Sequence, residues 1–202
     1  MGVCRKAYAE NFSGANKQMK LFNSWTFKEY TAVGVTAALC IVMGVLIKVV
    51  LGLFISNIPA VGSLVLGMIQ AIIIGLSIMR LPRLGFLTIL GVCMGTVYGF
   101  IFPAHPFMFV TFILAGMAGD CIAWLLGGYQ KQAALIIAVL TFRLSVIVFG
   151  ALIAWWIGFA ETDLAWTLIL INSAGSAVGV LIGLWAAVKL SKELSRAGLL
   201  AT

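Results

Sequence analysis

Three ionisable residues, Lys48, Asp120 and Arg143, stand inside long apolar runs. A charge near the middle of a bilayer costs roughly 2.5–3.5 kcal/mol by insertion scales, so each needs a partner or a task. Asp120 falls about seven residues, roughly 10 Å, from the end of its run, and Arg143 about ten residues, roughly 15 Å, into the next. Adjacent antiparallel helices would bring the two within reach. An intramembrane ion pair between Asp120 and Arg143 is expected, with a proton or substrate relay as the alternative.

A second group gathers toward the opposite side of the bilayer. Lys48 lies near the far end of the first run, beside Ser56-Asn57-Ile58-Pro59; His105, the one histidine, sits in Pro103-Ala104-His105-Pro106; Trp155 and Trp156 close the fifth run. Each has an ordinary reading: Lys48 snorkels to the interface, His105 is a solvated turn residue, and the tryptophans join the interfacial aromatic belt. The alternative is a ligand site open to that side, built from Lys48, Asn57, His105, Trp155 and Trp156. One cation, one imidazole and large rings would suit a planar anionic compound.

Other chemistry is missing. The chain has no H-E-x-x-H, no G-x-S-x-G and no G-x-x-x-x-G-K-[ST], and no two acidic residues share a helix face. It therefore lacks the common hydrolytic motifs, P-loop ATP binding and a carboxylate pair for metal-dependent transfer. No enzyme, cofactor or metal centre is expected. Cys4, Cys40, Cys93 and Cys121 are far apart with no ligand spacing and read as small buried hydrophobes.

The elements that position these residues follow from composition. Of 202 residues, 63% are hydrophobic and 9% charged, against about 45–50% apolar and about 25% charged in a soluble domain. A water-soluble fold is excluded. Six apolar runs, 30–55, 61–79, 84–102, 107–126, 133–159 and 164–188, are each near or above the ~20 residues that cross a bilayer. The first 29 residues are polar and mixed, without the apolar core of a secretory signal.

Eleven of the 13 Lys and Arg fall before the first run, between the second and third, between the fourth and fifth, or after the sixth. The opposite loops hold none, and the last of them carries Glu161 and Asp163. Because Lys- and Arg-rich loops stay cytoplasmic, the expected fold is all-α: a polytopic integral membrane protein, a six-transmembrane-helix bundle with both termini cytoplasmic. Residues 1–29 form a cytoplasmic arm, 30–189 the transmembrane domain and 190–202 a cytoplasmic tail. The net charge of +7 is accounted for by orientation, which leaves no excess for a nucleic-acid partner.

Small residues recur at four-residue spacing: Gly34 and Ala38; Gly67, Ala71 and Gly75; Gly91, Gly95 and Gly99; Gly150, Ala154 and Gly158; Gly175, Gly179 and Gly183. Such stripes let helix backbones approach closely in lipid. They serve either internal packing or, in one helix, docking of a partner subunit.

Four segments in order resemble substrate-binding S components of energy-coupling factor (ECF) transporters, most closely the Trep_Strep or MptD-like group. They are Tyr30-Thr31-Ala32-Val33-Gly34-Val35-Thr36-Ala37-Ala38-Leu39; Leu81-Pro82-Arg83-Leu84-Gly85-Phe86 running into Gly91-Val92-Cys93-Met94-Gly95; Ala115-Gly116-Met117-Ala118-Gly119-Asp120; and Gly179 to Gly183 continuing through Lys189-Leu190 to Ala197-Gly198-Leu199. The resemblance implies a non-catalytic ABC-type importer subunit of the prokaryotic cell membrane. It would capture a vitamin or other micronutrient from outside and hand it over by docking on a transmembrane coupling subunit driven by two ATPase subunits. The family docks through an A-x-x-x-A pattern on its first helix, matched here by Gly34 and Ala38, with Thr36 and Ala37 as alternatives in register. Two other classes stand beside it: a stand-alone transporter or channel, and a membrane-embedded enzyme or assembly factor using Asp120 and Arg143.

Overall fold

The computed structural model describes residues 25–54, 59–101, 107–158 and 162–196, and every regular element among them is an α-helix. In chain order these are α1 (Phe27–Phe54), α2 (Pro59–Arg80), α3 (Phe86–Ile101), α4 (Phe107–Leu125), α5 (Gln132–Trp156) and α6 (Thr162–Arg196).

The helix ends have local causes. Glu29 caps the start of α1 with one half of a capping box: Thr26 N donates to Glu29 Oε2 at 2.7 Å, while Glu29 N donates to the Thr26 backbone carbonyl at 3.0 Å. Between α2 and α3, Pro82 has no N–H to continue a helix and Gly85 takes φ +91°, a left-handed conformation that favours glycine. Gly127 and Gly128, at φ +91° and +92°, end α4, and Gly128 N donates back to the Ala123 carbonyl at 2.7 Å.

Three boundaries differ from expectation. α5 stops at Trp156, because Gly158 turns the chain at φ +80°. α6 runs on to Arg196, through residues assigned above to the tail, since 189–196 hold no Pro or Gly and cations suit a helix C-terminus. The third concerns α3, whose 16 residues span about 24 Å against a hydrocarbon layer of about 30 Å. Five of the six helices are therefore long and apolar enough to cross a membrane, and α3 is the short one.

Chain neighbours pack on one another except α2 and α3, which α1 bridges, and α2 also closes onto α6 in the most extensive pairing. A Cβ on Gly179 or Gly183 would strike the Leu64 or Met68 carbonyl of α2, and one on Gly91 would strike the Phe112 carbonyl of α4. Gly91 and Gly95 on α3 and Gly179 and Gly183 on α6 thus serve internal packing, where absent side chains let backbones touch. α1 lies across α2 and α3, with Thr36 Oγ1 donating to Ser77 Oγ at 2.9 Å.

The ion pair of Arg83 Nη2 with Glu29 Oε1, 2.9 Å, ties the α2–α3 turn to the start of α1. This end also holds the α4–α5 turn with Lys131 and is called here the basic end. Core side chains concentrate toward it: Ile74, Ile78, Phe86, Leu87, Leu90, Leu135, Val139, Phe142 and Leu184 are all buried. In four of the helices burial then stops at a common level, while α1 stays buried as far as Ile47 and α4 from Thr111 onward. The last buried residue of α5 is Phe142 and of α3 Gly95, and the first buried residues described in α2 and α6 are Gly67 and Ser176. Beyond that level these four helices are only partly covered.

Candidate functional site

The Asp120 carboxylate sits on α4 where Gly116 and Gly119 let that helix close on the first turn of α3. A Cβ on Gly116 would collide with the Leu87 carbonyl, and one on Gly119 would come within 2.6 Å of Leu87 Cδ1. Asp120 Oδ2 accepts from Thr88 N at 2.7 Å and Thr88 Oγ1 at 2.6 Å; Oδ1 accepts from Tyr129 OH at 2.5 Å and, more distantly, from Leu87 N at 3.4 Å. An α-helix leaves its first N–H groups without internal partners and carries partial positive charge there. Asp120 therefore caps α3 from a different helix. The Pro82–Gly85 turn and the Gly116–Asp120 segment, two separate patterns in sequence, form one latch at the basic end. Burial, reinforced by the Asp120 charge, pushes the Tyr129 phenol well above its ordinary range.

Arg143 does not join Asp120. Its Nε donates to Ser176 Oγ on α6 at 3.2 Å, and the ion pairs among the described residues are Glu29 with Arg83 and Glu193 with Arg196. The expected Asp120–Arg143 pair is corrected by direction. Asp120 points to α3 and the α4–α5 turn, while Arg143, deeper along α5, points to α6.

Around Arg143 lies a polar layer at the level where burial stops. Tyr98 and Cys40 are close enough to interact electrostatically with the guanidinium. Gln70, 3% exposed, donates to the Cys40 carbonyl at 3.4 Å, and a Cβ on Gly44 would stand 3.4 Å from Tyr98 Oη and 3.5 Å from Gln70 Nε2. Tyr98 stacks on Phe112, ring centroids 5.2 Å apart. One turn along α6 from Ser176, Asn172 Oδ1 accepts from Ser63 Oγ at 2.7 Å. Ser173 Oγ, in the same turn, is buried with no hydrogen-bond partner among the described residues. Asn172 and Ser176 thus make interhelical hydrogen bonds, and Ser173 makes none among the described residues.

Of the proposed ligand residues, Trp155 and Trp156 are 54% and 83% exposed, which fits an interfacial belt and not the wall of a buried pocket. Lys48 lies on α1, but its side chain is outside the described residues, as are Asn57 and His105. No group of three His, Cys, Asp or Glu able to hold a metal occurs among the described residues. Cys40 is buried as expected, whereas Cys121 faces outward. Gln70 and Tyr98 escaped the sequence reading, although an uncharged amide in the middle of an apolar run is itself a signal of an interior polar layer.

The small residues of α1 behave unlike the internal stripes. A Cβ on Gly34 would meet nothing within 4 Å, and Ala38 is exposed beside Val35, Leu39, Val42 and Leu46. Thr36 and Ala37, the alternative positions, are buried against the bundle. The Gly34 and Ala38 face of α1 is therefore without an internal partner among the described residues, as are Gly99 at the far end of α3 and Gly158 after α5.

No curated protein and no solved structure matches the chain. A family model does, over residues 27–165, which is more than half the chain and takes in the latch, the open face of α1 and the polar layer apart from Asn172, Ser173 and Ser176. The protein belongs to the Trep_Strep family of hypothetical bacterial integral membrane proteins.

Proposed function

We propose that the chain is the substrate-binding S component of an ECF-type importer, a capture and hand-over protein without catalysis. The observation that carries the reading is the open face of α1. Internal partners close on Gly91, Gly95, Gly179 and Gly183, yet Gly34 and Ala38 face outward on the helix where the resemblance locates docking on the coupling subunit. In this reading the basic end is cytoplasmic by the positive-inside rule, and all six helices lie in the membrane, the short α3 being accommodated by local thinning or tilt of its neighbours. The half of the bundle beyond Arg143 then faces outward, where a vitamin or other micronutrient would enter near Lys48, Asn57 and His105.

Co-expression with a coupling subunit and two ATPase subunits, followed by purification on a tag carried by this chain, tests the reading. A stoichiometric four-subunit complex that is lost in Gly34→Leu and Ala38→Leu, with the variant chains still folded, is the expected result. A folded chain that never retains the coupling subunit would sink it and favour a stand-alone transporter.

A further inference from the structure

We propose that Arg143 is the anion-recognising group of a ligand site in the open half of the bundle, taking one oxyanion group, carboxylate or phosphate, of a small solute. A guanidinium inside a membrane bundle is normally paired. Here the only guanidinium atom with a hydrogen-bond partner among the described residues is Nε, held by Ser176 Oγ. The acids with described side chains are engaged elsewhere: Glu29 with Arg83 and Thr26, Asp120 with Thr88 and Tyr129, Glu193 with Arg196. Of the other three, Glu10 precedes α1, Glu161 precedes α6, and Asp163 lies in the first turn of α6, thirteen residues before Ser176, about 20 Å along the helix.

The bond to Ser176 fixes the side chain and leaves both Nη groups as an end-on fork, the geometry that binds carboxylate and phosphate through two parallel N–H bonds. Arg143 stands at the edge of the packed half of α5, no described residue of that helix beyond it is buried, and its Nη atoms have no hydrogen-bond partner among the described residues. Ser173 Oγ supplies an independent sign. A buried hydroxyl without a partner is costly, and this one sits one turn from Ser176 on the side where the bundle opens. It is placed to donate to the neutral part of a bound molecule.

Depth argues for a solute over a lipid headgroup. Arg143 lies eleven residues into α5, about 16 Å from the basic end, near the middle of a hydrocarbon layer of about 30 Å; lipid phosphates lie at its surface. That this anion is the imported cargo rests on the importer reading above; the anion site does not.

The test is the thermal unfolding midpoint of the purified chain in phosphatidylcholine nanodiscs, with acetate, benzoate or inorganic phosphate added at fixed ionic strength against chloride. A ligand that binds only the folded state raises the midpoint with concentration. The expected result is a rise with at least one of these oxyanions over chloride, absent in Arg143→Gln and reduced in Arg143→Lys, which keeps the charge and loses the fork. Should Arg143→Gln not fold, Arg143→Lys and Ser173→Ala carry the comparison, both with a smaller rise. Equal midpoints in all three anions and chloride, or an undiminished rise in the variants, would overturn the proposal. A midpoint raised only by phosphatidylglycerol nanodiscs, with no response to free anions, would assign the fork to lipid and overturn the solute site. An Arg143-dependent rise in a chain that never retains the coupling subunit would overturn the importer reading and leave the site standing.

Discussion

Asp120 on α4 grips Thr88 on α3 twice, through the backbone N at 2.7 Å and through Oγ1 at 2.6 Å. The thirty-one residues between them in sequence hold most of the α3–α4 hairpin, so this contact closes the hairpin at its open end. Hydrogen bonds to a charged group contribute about 1.5–3 kcal/mol, against about 0.5–1.5 for neutral ones. Asp120→Asn, with one acceptor oxygen left and no charge, is expected to lose about 2–4 kcal/mol of stability, and Thr88→Val about 1 kcal/mol. The double variant should lose less than the sum, because the two changes remove one shared bond. Unfolding by detergent titration measures all three, and additive losses would show that the residues do not act together.

Tyr129 makes the latch sensitive to alkali. Its phenol must keep its proton to donate to Asp120, and burial holds its folded-state pKa above the ordinary value, which is about 10. A raised folded pKa means that the contribution is complete below the unfolded value and is lost as pH rises from there toward the folded one. Wild type should therefore lose stability above about pH 10 more steeply than Tyr129→Phe. The measurement is the difference between their unfolding midpoints across pH 8 to 11; parallel curves would mean that the phenol is not coupled to folding.

Glycines that look alike in sequence should respond with opposite signs. A Cβ on Gly179 enters the Leu64 carbonyl, backbone that cannot swing aside, so Gly179→Ala should destabilise the chain by about 1–3 kcal/mol. Gly34 has nothing within 4 Å, and Gly34→Ala should gain up to about 1 kcal/mol from helix propensity alone. Loss of stability at both positions would place an internal partner against α1.

That contrast marks the limit of what was legible beforehand. Six helices follow from runs of apolar residues broken by Pro, Gly and charge, and α4 begins at Phe107 as those runs predict. Spacing also indicates which residues share a helix face. It does not indicate which neighbour the face meets, since every candidate stripe has the same composition and only tertiary contact separates Gly34 from Gly179. Asp120 and Arg143 show the same limit. Their depth was legible from position in a run, but their direction depends on how α4 rotates against α3, and the Gly116 and Gly119 contacts set that rotation. The length of α3 was hidden for a different reason: Pro82 and Gly85 delay its start to Phe86, and apolar composition alone carries no such boundary.

The orientation of the bundle can be read with single cysteines in a background where the native ones are replaced. Arg83→Cys, in the α2–α3 turn, should react with a membrane-impermeant thiol reagent only in inverted vesicles. Asp163→Cys, at the opposite end, should react in intact cells. The reverse pattern would place the basic end outside, contrary to the positive-inside rule, and would turn the open half of the bundle toward the cytoplasm.

Ser173 separates stability from binding most sharply. A buried hydroxyl without a partner forfeits its hydrogen bonds to water and gains none in return, a cost of about 1–3 kcal/mol, whereas a methyl in its place carries no such cost. Ser173→Ala should therefore leave the ligand-free protein as stable as wild type or more so, by up to about 1–2 kcal/mol in the unfolding free energy. If Ser173 Oγ donates to a molecule held by Arg143, the same change should weaken that molecule's effect on the midpoint, so the variant is more stable without ligand and less responsive with it. A purely structural serine moves the two quantities together, and a loss of stability in Ser173→Ala without added anion would mean that the hydroxyl already has a partner inside the bundle.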